Sequence, residues 1–415
     1  MLRAVYSPGA VQLERDMNRR VFSAALAICG ACVATPAFSQ TTEPSAPPPL
    51  RPGESCSLSK FCGVPYEYVP AATQSSSLGG TQLVNGVAKQ VGGHVGVGSC
   101  FGSPICAWSI GRESINHIQH KPDMGYTYAY PLKFPEGSTG GVSAVAMNSK
   151  GSIYAFLRNE SGKPMLFEWD THYKLIRSFG VDIAGKPHGM AVDAEDNIWI
   201  CDQFGDTVMK LSPEGKVLMT LGVKGRRGDW NEATGQRLLW QPMMVAFAAT
   251  GDIYIAMGHG NESPNDGAAR VLHLNKNGKF MNQWFGNAAG PGKFAMAHAI
   301  AINPYNGNVY IGDREEYRIV VYDANGSFVK TIQMPNLVCA LFVDRNKQLW
   351  MATGQDGQVV KLDWEGRILG AVGEGPGTGT GQFIESNYMV EDIKGNIFVG
   401  DTSSTRVTEF VAPKK

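Results

Sequence analysis

The sequence predicts an all-β protein, a six-bladed β-propeller preceded by an N-terminal extension. Three observations support this fold class: short strands that repeat from residue 140 onward, many glycines and few charged residues. The chain holds 50 glycines in 415 residues, and Asp, Glu, Lys and Arg together make up 18% of it. This composition indicates many tight turns and argues against long solvent-facing helices.

The repeat is the most informative property of the chain. Each unit reads as four strands with period-two alternation between Gly, Asn and Asp turns, as in HGMAVDAEDNIWICDQFGDTVMKLSPEGKVLMTLG and HAIAINPYNGNVYIGDREEYRIVVYDANGSFVKTI. Six copies align at one position, which is occupied by Ile153, Ile198, Ile253, Val309, Leu349 and Ile397. Six copies of a four-stranded unit predict six blades.

The two ends of the repeat region complement each other. The last copy stops at Val411 after its third strand, and an extra strand-like stretch, Tyr126–Phe134, precedes the first copy. We expect the N-terminal strand to complete the C-terminal blade, because this closes the ring and removes exposed strand edges. A solenoid would need polar caps, which the sequence does not offer. The propeller is therefore predicted to span 126–411.

The residues before the propeller divide into three segments. Residues 1–39 read as a secretory signal region with Met17 as an alternative start, since two arginines precede the apolar run Val21–Phe38 and small residues follow. Residues 40–55 form a Pro-rich linker and 56–125 a Cys- and Gly-rich extension. We expect a periplasmic or secreted protein with no membrane span after signal cleavage; a retained anchor is the alternative.

Cysteines in the extension are expected to pin it by disulfides. Two pairs, each with five intervening residues, are formed by Cys56, Cys62, Cys100 and Cys106. An exported protein reaches an oxidising compartment where disulfides persist, although the spacing leaves the connectivity open. A site of four thiolates around a metal is the alternative, but metal-binding pairs favour shorter spacings.

The charge balance restricts the partners. The 37 basic and 37 acidic residues give a net charge of zero, and no basic stripe is present. Nucleic acid and an anionic membrane surface are therefore disfavoured as partners. A small-molecule or peptide-derived substrate fits better, and the oligomeric state is left open.

Repeat-equivalent positions at the start of the innermost strand form rings around a propeller's channel. The first ring contains Ser143, His188, Met243, His298, Cys339 and Asn387. The second ring, five residues after the aligned position, contains Arg158, Gln203, Gly258, Arg314, Gly354 and Thr402, and His259 follows Gly258. Imidazoles, a thiol, an amide and two guanidiniums are thus predicted to converge on one funnel.

The first ring contains the candidate metal ligands. Imidazole suits Zn²⁺, and a catalytic site keeps three protein ligands and one open position. His188 and His298 are two candidates, with His259, Asn387 or Cys339 as the third; a structural Ca²⁺ is a second candidate ion. The alternative is that the histidines are structural and bond loop carbonyls, and that Cys339 is a buried, inert thiol.

The second ring contains two arginines that suit an anionic ligand. The planar guanidinium fork can engage both oxygens of a carboxylate. Arg158 and Arg314 are therefore candidate substrate-holding residues. They could instead be interblade salt-bridge partners.

Over residues 126–411 the chain resembles the NHL-repeat propellers, specifically the lyase domain of peptidylglycine α-amidating enzymes and its bacterial relatives. The motifs that carry this resemblance are PHGMAVDAEDNIWICD, Gln241-Pro242, Gly258-x-Gly260-Asn261, HAIAIN followed by GDREEYRI, and GNIFVGDTSSTRVTEFV. The resemblance implies a Zn²⁺ held by three histidines, a tyrosine base and two arginines near the substrate. The implied reaction cleaves an α-hydroxyglycine to an amide and glyoxylate.

Carried over position by position, the resemblance gives both matches and departures. The matching positions are those of two zinc ligands, His188 and His298, and of two arginines, Arg158 and Arg314. Asn387 stands at the third ligand position and His259 at the position of the tyrosine. Since an amide is a poorer zinc ligand than imidazole, the amidating reaction itself is disfavoured.

Two functional hypotheses follow. In the first, the chain is an exported, lyase-like enzyme that acts on a small anionic or hydroxylated substrate, with Arg158, Arg314 and His259 as its catalytic residues. Its altered metal site contains the remaining three candidates, His188, His298 and Asn387. In the second, it is a binding or scaffold propeller without catalysis, a common outcome for a widely used fold.

Overall fold

A computed structural model describes residues 66–68, 81–84, 87–90, 119, 124–258, 269–286 and 291–414. The predicted signal region, the Pro-rich linker and the four paired cysteines lie outside these residues, so the disulfide prediction stays a prediction. Within the described part of the chain, no helix is long and apolar enough to cross a membrane.

The described part of the extension is a small sheet. It contains β1 (Tyr66–Tyr68), β2 (Thr81–Val84) and β3 (Val87–Gln90). Strand β3 lies in the middle, parallel to β1 and antiparallel to β2.

The first three blades are four-stranded antiparallel sheets with their strands in chain order. Blade 1 contains β5 (Val142–Met147), β6 (Ile153–Leu157), β7 (Pro164–Trp169) and β8 (Leu175–Val181). Blade 2 contains β9 (Pro187–Val192), β10 (Ile198–Asp202), β11 (Thr207–Leu211) and β12 (Val217–Gly222). A hairpin of β13 (Trp230–Asn231) and β14 (Gln236–Arg237) precedes blade 3. Blade 3 contains β15 (Pro242–Phe247), β16 (Ile253–Met257), β17 (Arg270–Leu274) and β18 (Phe280–Phe285).

The last three blades follow the same order, except that the sixth borrows a strand. Blade 4 contains β19 (Ala297–Ile302), β20 (Val309–Asp313), β21 (Arg318–Tyr322) and β22 (Phe328–Gln333). Blade 5 contains β23 (Ala340–Val343), β24 (Leu349–Ala352), β25 (Val359–Leu362) and β26 (Ile368–Val372). Blade 6 contains β27 (Ser386–Glu391), β28 (Ile397–Asp401), β29 (Arg406–Val411) and β4 (Thr127–Ala129). The six-bladed prediction is confirmed, and each aligned repeat position begins the second strand of its blade.

The ring is closed by the N-terminal strand, as predicted. Strand β4 pairs antiparallel with β29, with Tyr128 opposite Phe410. The first strands of successive blades also contact each other in a closed cycle, from β5 through β9, β15, β19, β23 and β27 back to β5. These six innermost strands surround the axis and present the ring positions to it.

Burial decreases from the inner to the outer strands of each blade. The second strands are wholly buried, whereas outer strands such as β22 alternate between partly buried and exposed residues. A recurrent turn ends the first strand: Asp193 Oδ1 accepts the backbone N–H groups of Glu195 and Asn197 at 3.0 and 2.9 Å. Its other oxygen accepts the indole N–H of the buried Trp199 at 2.9 Å. The same aspartate–tryptophan pair recurs in blade 5 as Asp344 and Trp350.

Candidate functional site

The predicted first ring forms at the innermost strands. Its six side chains are all buried: Ser143, His188, Met243, His298, Cys339 and Asn387. In every blade but the fifth, the pairing between the first and second strands is irregular at this position, with one more residue on the first strand. Such β-bulges turn a side chain away from its regular direction. The repeated bulge therefore explains how this position reaches the axis.

The structure brings the two ring histidines into contact. The ring centroids of His188 and His298 are 4.9 Å apart, with the ring planes at 74°. The Nδ1 of His188 lies 3.0 Å from the carbonyl oxygen of Met243, and the Nδ1 of His298 lies 2.6 Å from that of Cys339. Because a carbonyl oxygen only accepts, both Nδ1 atoms carry the proton, and a neutral ring then has its lone pair on Nε2.

This hydrogen bonding is what the structural alternative predicted, and it also suits a metal ligand. A histidine that binds a metal through one nitrogen usually donates a hydrogen bond through the other, often to a backbone carbonyl. The environment keeps one ring neutral: burial lowers the pKa of His298 well below its usual value, and the nearby Arg314 acts in the same direction. A neutral imidazole is the form that binds metals.

A tyrosine that the sequence reasoning missed holds the two histidines. Tyr388, beside Asn387 on β27, is 2% exposed and reaches across to three other blades. Its hydroxyl lies 3.0 Å from the carbonyl oxygens of both Met243 and His298, and 3.2 Å from the Nδ1 of His188. Burial raises its pKa well above the usual value, so the phenol stays protonated and can donate to a carbonyl.

The described residues do not by themselves fit a catalytic zinc ion. Asn387 is buried in the ring, where its Oδ1 accepts a weak hydrogen bond from the Cys339 thiol at 3.6 Å. Across the described ranges, no group of three or more His, Cys, Asp or Glu side chains is placed to hold a metal ion. His259, the other candidate ligand, lies outside the described residues. The described ring thus supplies two imidazoles and an amide, whereas the implied site has three imidazoles.

The two arginines of the second ring lie at different depths. Arg158 is half-buried, and its Nε donates to the Pro187 carbonyl at 3.1 Å, one blade away. Arg314 is 4% exposed and forms an ion pair with Glu385, with 2.9 Å between Nη2 and Oε1. This pair joins blade 4 to the segment entering blade 6, so the interblade salt bridge raised as an alternative is present for Arg314.

Lys186 and Glu385 form a third level of the site that the sequence reasoning missed. Each lies two residues before its first-ring residue, His188 or Asn387. An aspartate at the end of the second strand holds each segment in place. Asp202 accepts the backbone N–H of Lys186 at 2.9 Å, and Asp401 accepts that of Glu385 at 3.1 Å. Opposite charges at equivalent positions, two residues upstream of the ring, were the signal that could have identified them.

Burial changes the protonation of the basic side chains at this level. Lys186 is 7% exposed, with its Nζ 4.8 Å from the centre of the Phe204 ring. Burial, reinforced by the charge of Arg158 and opposed by Glu385, lowers the pKa of Lys186 to about 6. Burial also lowers the pKa of Arg158, and Arg314 adds to that effect. Near pH 7 Lys186 is therefore mostly uncharged, and the positive charge at this level comes from Arg158 and Arg314.

Two buried side-chain amides in the loops of the second ring have an unpaired polar atom, which points to a ligand or to water. The Oε1 of Gln203 and the Nε2 of Gln355 are buried and have no hydrogen-bond partner within the described residues. Gln203 is a second-ring residue, and Gln355 follows the second-ring residue Gly354. Buried polar atoms are rarely left unpaired, since the lost hydrogen bonds cost about 1–3 kcal/mol. Each atom therefore requires a partner, either a water molecule or a ligand.

The fold and this funnel together define the class of protein. The chain is a six-bladed β-propeller with homology, at low identity, to peptidylglycine α-amidating monooxygenases, to hydroxyglycine lyases and to NHL-repeat proteins. Residues 265–363 match the profile of a family described as "6-bladed beta-propeller".

Individual relatives cover part of the chain. It is 26% identical over 247 residues to the peptidylglycine alpha-amidating monooxygenase of Rattus norvegicus, which covers 52% of this chain and 23% of that protein. It is 30% identical over 217 residues to NHL repeat-containing protein 3 of Homo sapiens, and the match covers 50% of this chain and 57% of that protein. It is 26% identical over 241 residues to peptidyl-alpha-hydroxyglycine alpha-amidating lyase 1 of Drosophila melanogaster, covering 49% and 42%. The chain thus spans less than two thirds of each of these relatives.

A solved structure agrees with the fold. A gluconolactonase from Xanthomonas campestris superposes with a TM-score of 0.50 at 16% identity, covering 69% of this chain and 90% of that chain. At this identity the similarity concerns the propeller fold alone.

Proposed function

We propose that this chain is an exported, lyase-like enzyme that binds a small anionic or hydroxylated substrate in the central funnel. The observation that carries the proposal is the charge arrangement. The guanidinium groups of Arg158 and Arg314 both lie near His298, where the charge of each lowers the pKa of that histidine, and Arg314 forms an ion pair with Glu385. A buried cation is stabilised by a nearby negative charge, and we propose that an anionic substrate supplies such a charge to the two arginines.

We assign each residue a role from its place in the two rings of the sequence and from the family resemblance. A substrate carboxylate would be held by Arg158 and Arg314, because guanidinium groups bind carboxylates through paired hydrogen bonds. His259 is proposed as the acid or base. A zinc ion held by His188, His298 and a third ligand remains a proposal, and we assign it no step of the reaction.

The names of the relatives suggest the substrate class. Several are hydroxyglycine lyases, which act on a peptide ending in α-hydroxyglycine. Such a substrate carries a carboxylate for the arginines and a hydroxyl group that can form a further hydrogen bond. A peptide-derived substrate is also compatible with the export that the N-terminal sequence predicts.

Binding of glycolate, a small hydroxylated anion, tests the proposal directly. We expect the protein to bind glycolate but not the neutral glycolamide in calorimetry, and Arg158→Gln to weaken glycolate binding about tenfold or more, as expected for a charge-assisted contact. Arg367→Gln is the matched control, because Arg367 is an exposed arginine whose side chain is 81% accessible. Equal binding of glycolate and glycolamide would contradict an anion-binding funnel.

Turnover distinguishes the enzyme from a binding propeller. An N-acyl-α-hydroxyglycine should be cleaved to the amide by wild type and more slowly by Arg158→Gln. The scaffold alternative is favoured by Asn387 at the third ligand position and by the histidine–carbonyl bonds. It predicts that the protein binds glycolate but cleaves the N-acyl-α-hydroxyglycine no faster than buffer without protein does.

A further inference from the structure

The ion pair between Arg314 and Glu385 crosses an entire blade. Arg314 directly follows β20 in blade 4, and Glu385 directly precedes β27 in blade 6. In blade 5 the equivalent second-ring position is Gly354, with a φ of +60°. A Cβ there would lie 3.3 Å from the Cys339 sulfur and 3.7 Å from Arg314 Nη2. The positive φ and the close contact with Cys339 favour glycine here, and the guanidinium of Arg314 lies beside it.

Both carboxylate oxygens of Glu385 are engaged. Oε1 pairs with Arg314 at 2.9 Å, and Oε2 accepts a hydrogen bond from the Thr402 hydroxyl at 2.9 Å. The backbone of Glu385 is fixed as well, because its N–H donates to Asp401 and its carbonyl accepts the N–H of Thr402 at 3.1 Å. The carboxylate is thus held against the guanidinium in a defined position.

This carboxylate has the same chemistry as the ligand that the funnel is proposed to bind. Glu385 is also close enough to Arg158 and Lys186 to oppose the lowering of their pKa values. It is the counter-ion of Arg314, one of the two arginines that a substrate carboxylate would contact. Two carboxylates cannot both take the Arg314 Nη2 position.

We propose that Glu385 is an internal competitor for the anion site, and that a substrate binds by displacing its carboxylate from Arg314. The proposal rests on the proposed function of the funnel. It makes Glu385 a specificity-determining residue: a ligand must offer more than a single monodentate carboxylate to replace an ion pair that is already formed. A simple carboxylate such as acetate should therefore bind poorly, whereas glycolate adds a hydroxyl contact.

The test compares glycolate affinities by calorimetry, with thermal melting to verify folding. Glu385→Gln preserves the size of the side chain but replaces the ion pair with Arg314 by a weaker hydrogen bond to an uncharged amide, so glycolate should bind about tenfold more tightly. Thr402→Val removes the hydrogen bond to the second carboxylate oxygen of Glu385 without changing the charge, and it should increase the affinity for glycolate about threefold. Glu316→Gln is the control, because Glu316 is exposed on the same short helical turn as Arg314 and its loss should leave the affinity unchanged.

The outcomes separate the two proposals. If Glu385 only positioned Arg314 for the ligand, Glu385→Gln would bind glycolate equally or more weakly, which overturns the competitor role and leaves the anion-binding funnel intact. If neither wild type nor Glu385→Gln binds glycolate, both proposals are wrong. If Glu385→Gln does not fold, the Thr402→Val affinity decides: an unchanged or weaker value overturns the competitor role.

Discussion

Closure of the ring by β4 should be the most sensitive point for the stability of this propeller. Only three residues pair, yet the aromatic side chain at their centre makes several contacts. The Tyr128 ring packs edge-on against Phe410 with centroids 5.5 Å apart, and its hydroxyl donates to Glu374 at 2.7 Å. It also fills the space above Gly381, where an added Cβ would lie 2.9 Å from the ring.

The magnitude of the effect can be worked from these contacts. Tyr128→Phe removes one hydrogen bond and should lower the free energy of unfolding by about 1 kcal/mol. Tyr128→Ala also removes a half-buried ring and its aromatic pair, which brings the loss to about 2–3 kcal/mol, less than for a fully buried aromatic. For a domain of this size, that loss corresponds to a fall in melting temperature of roughly 5–10 °C.

Thermal unfolding followed by circular dichroism measures this prediction. Deleting residues 126–135 should lower the melting temperature further, in one cooperative transition, because the edge of β29 becomes unpaired. Tyr305→Ala is the control, since Tyr305 is 63% exposed at a turn of blade 4 and should shift the melting temperature little. An unchanged melting temperature after the deletion, or a separate early transition of blade 6 alone, would refute the idea that β4 closes the ring.

Three further predictions concern the site and the extension. If a third ligand completes the site, the purified protein should contain about one Zn²⁺ or similar ion. His188→Ala should release this ion, and Asn387→His should increase the affinity for it. Elemental analysis that finds no metal in wild type and no gain in Asn387→His would contradict a metal site. Tyr388→Phe should lower the free energy of unfolding by about 1–3 kcal/mol, because it removes a buried hydroxyl that contacts three blades; a melting temperature equal to that of wild type would argue against this role. Peptide mass mapping without reduction should find the four extension cysteines oxidised: Cys56, Cys62, Cys100 and Cys106. Four alkylatable thiols in protein taken from the periplasm would show that this assignment is wrong.

The sequence predicted the number of blades and the position of their strands because the repeat carries its own register. Turn residues and period-two alternation fix where each strand begins, and neither depends on distant contacts. The closing strand was predicted as Tyr126–Phe134 but is shorter, Thr127–Ala129. Pro131 has no N–H to continue the ladder, which explains why pairing stops nearby.

The site was harder to predict, because it depends on which side chains reach across the ring. The histidine pair followed from equivalent positions in the repeat. Tyr388 did not, because neighbours on a regular strand point to opposite faces and a bulge changes that rule here. The pairing of β27 is irregular between Ser386 and Met389, with Tyr388 in the irregular part. The Arg314–Glu385 pair joins non-adjacent blades, so no local pattern could reveal it.

The blades contribute unequally to the funnel, and side-chain size explains why. Around a narrow axis, six long side chains cannot occupy one level, so large residues require small neighbours. The arginines of the second ring accordingly stand in blades 1 and 4, while blades 3 and 5 carry Gly258 and Gly354. Blades 3 and 5 offer backbone carbonyls to the histidines. The basic and acidic side chains near the histidine pair come from blades 1, 2, 4 and 6. Gly354 has a φ of +60°, and a Cβ there would lie 3.2 Å from the Cβ of Cys339. Substitution of Gly354 by a larger residue should therefore disturb the ring and affect anion binding more than any equivalent change on the outer strands.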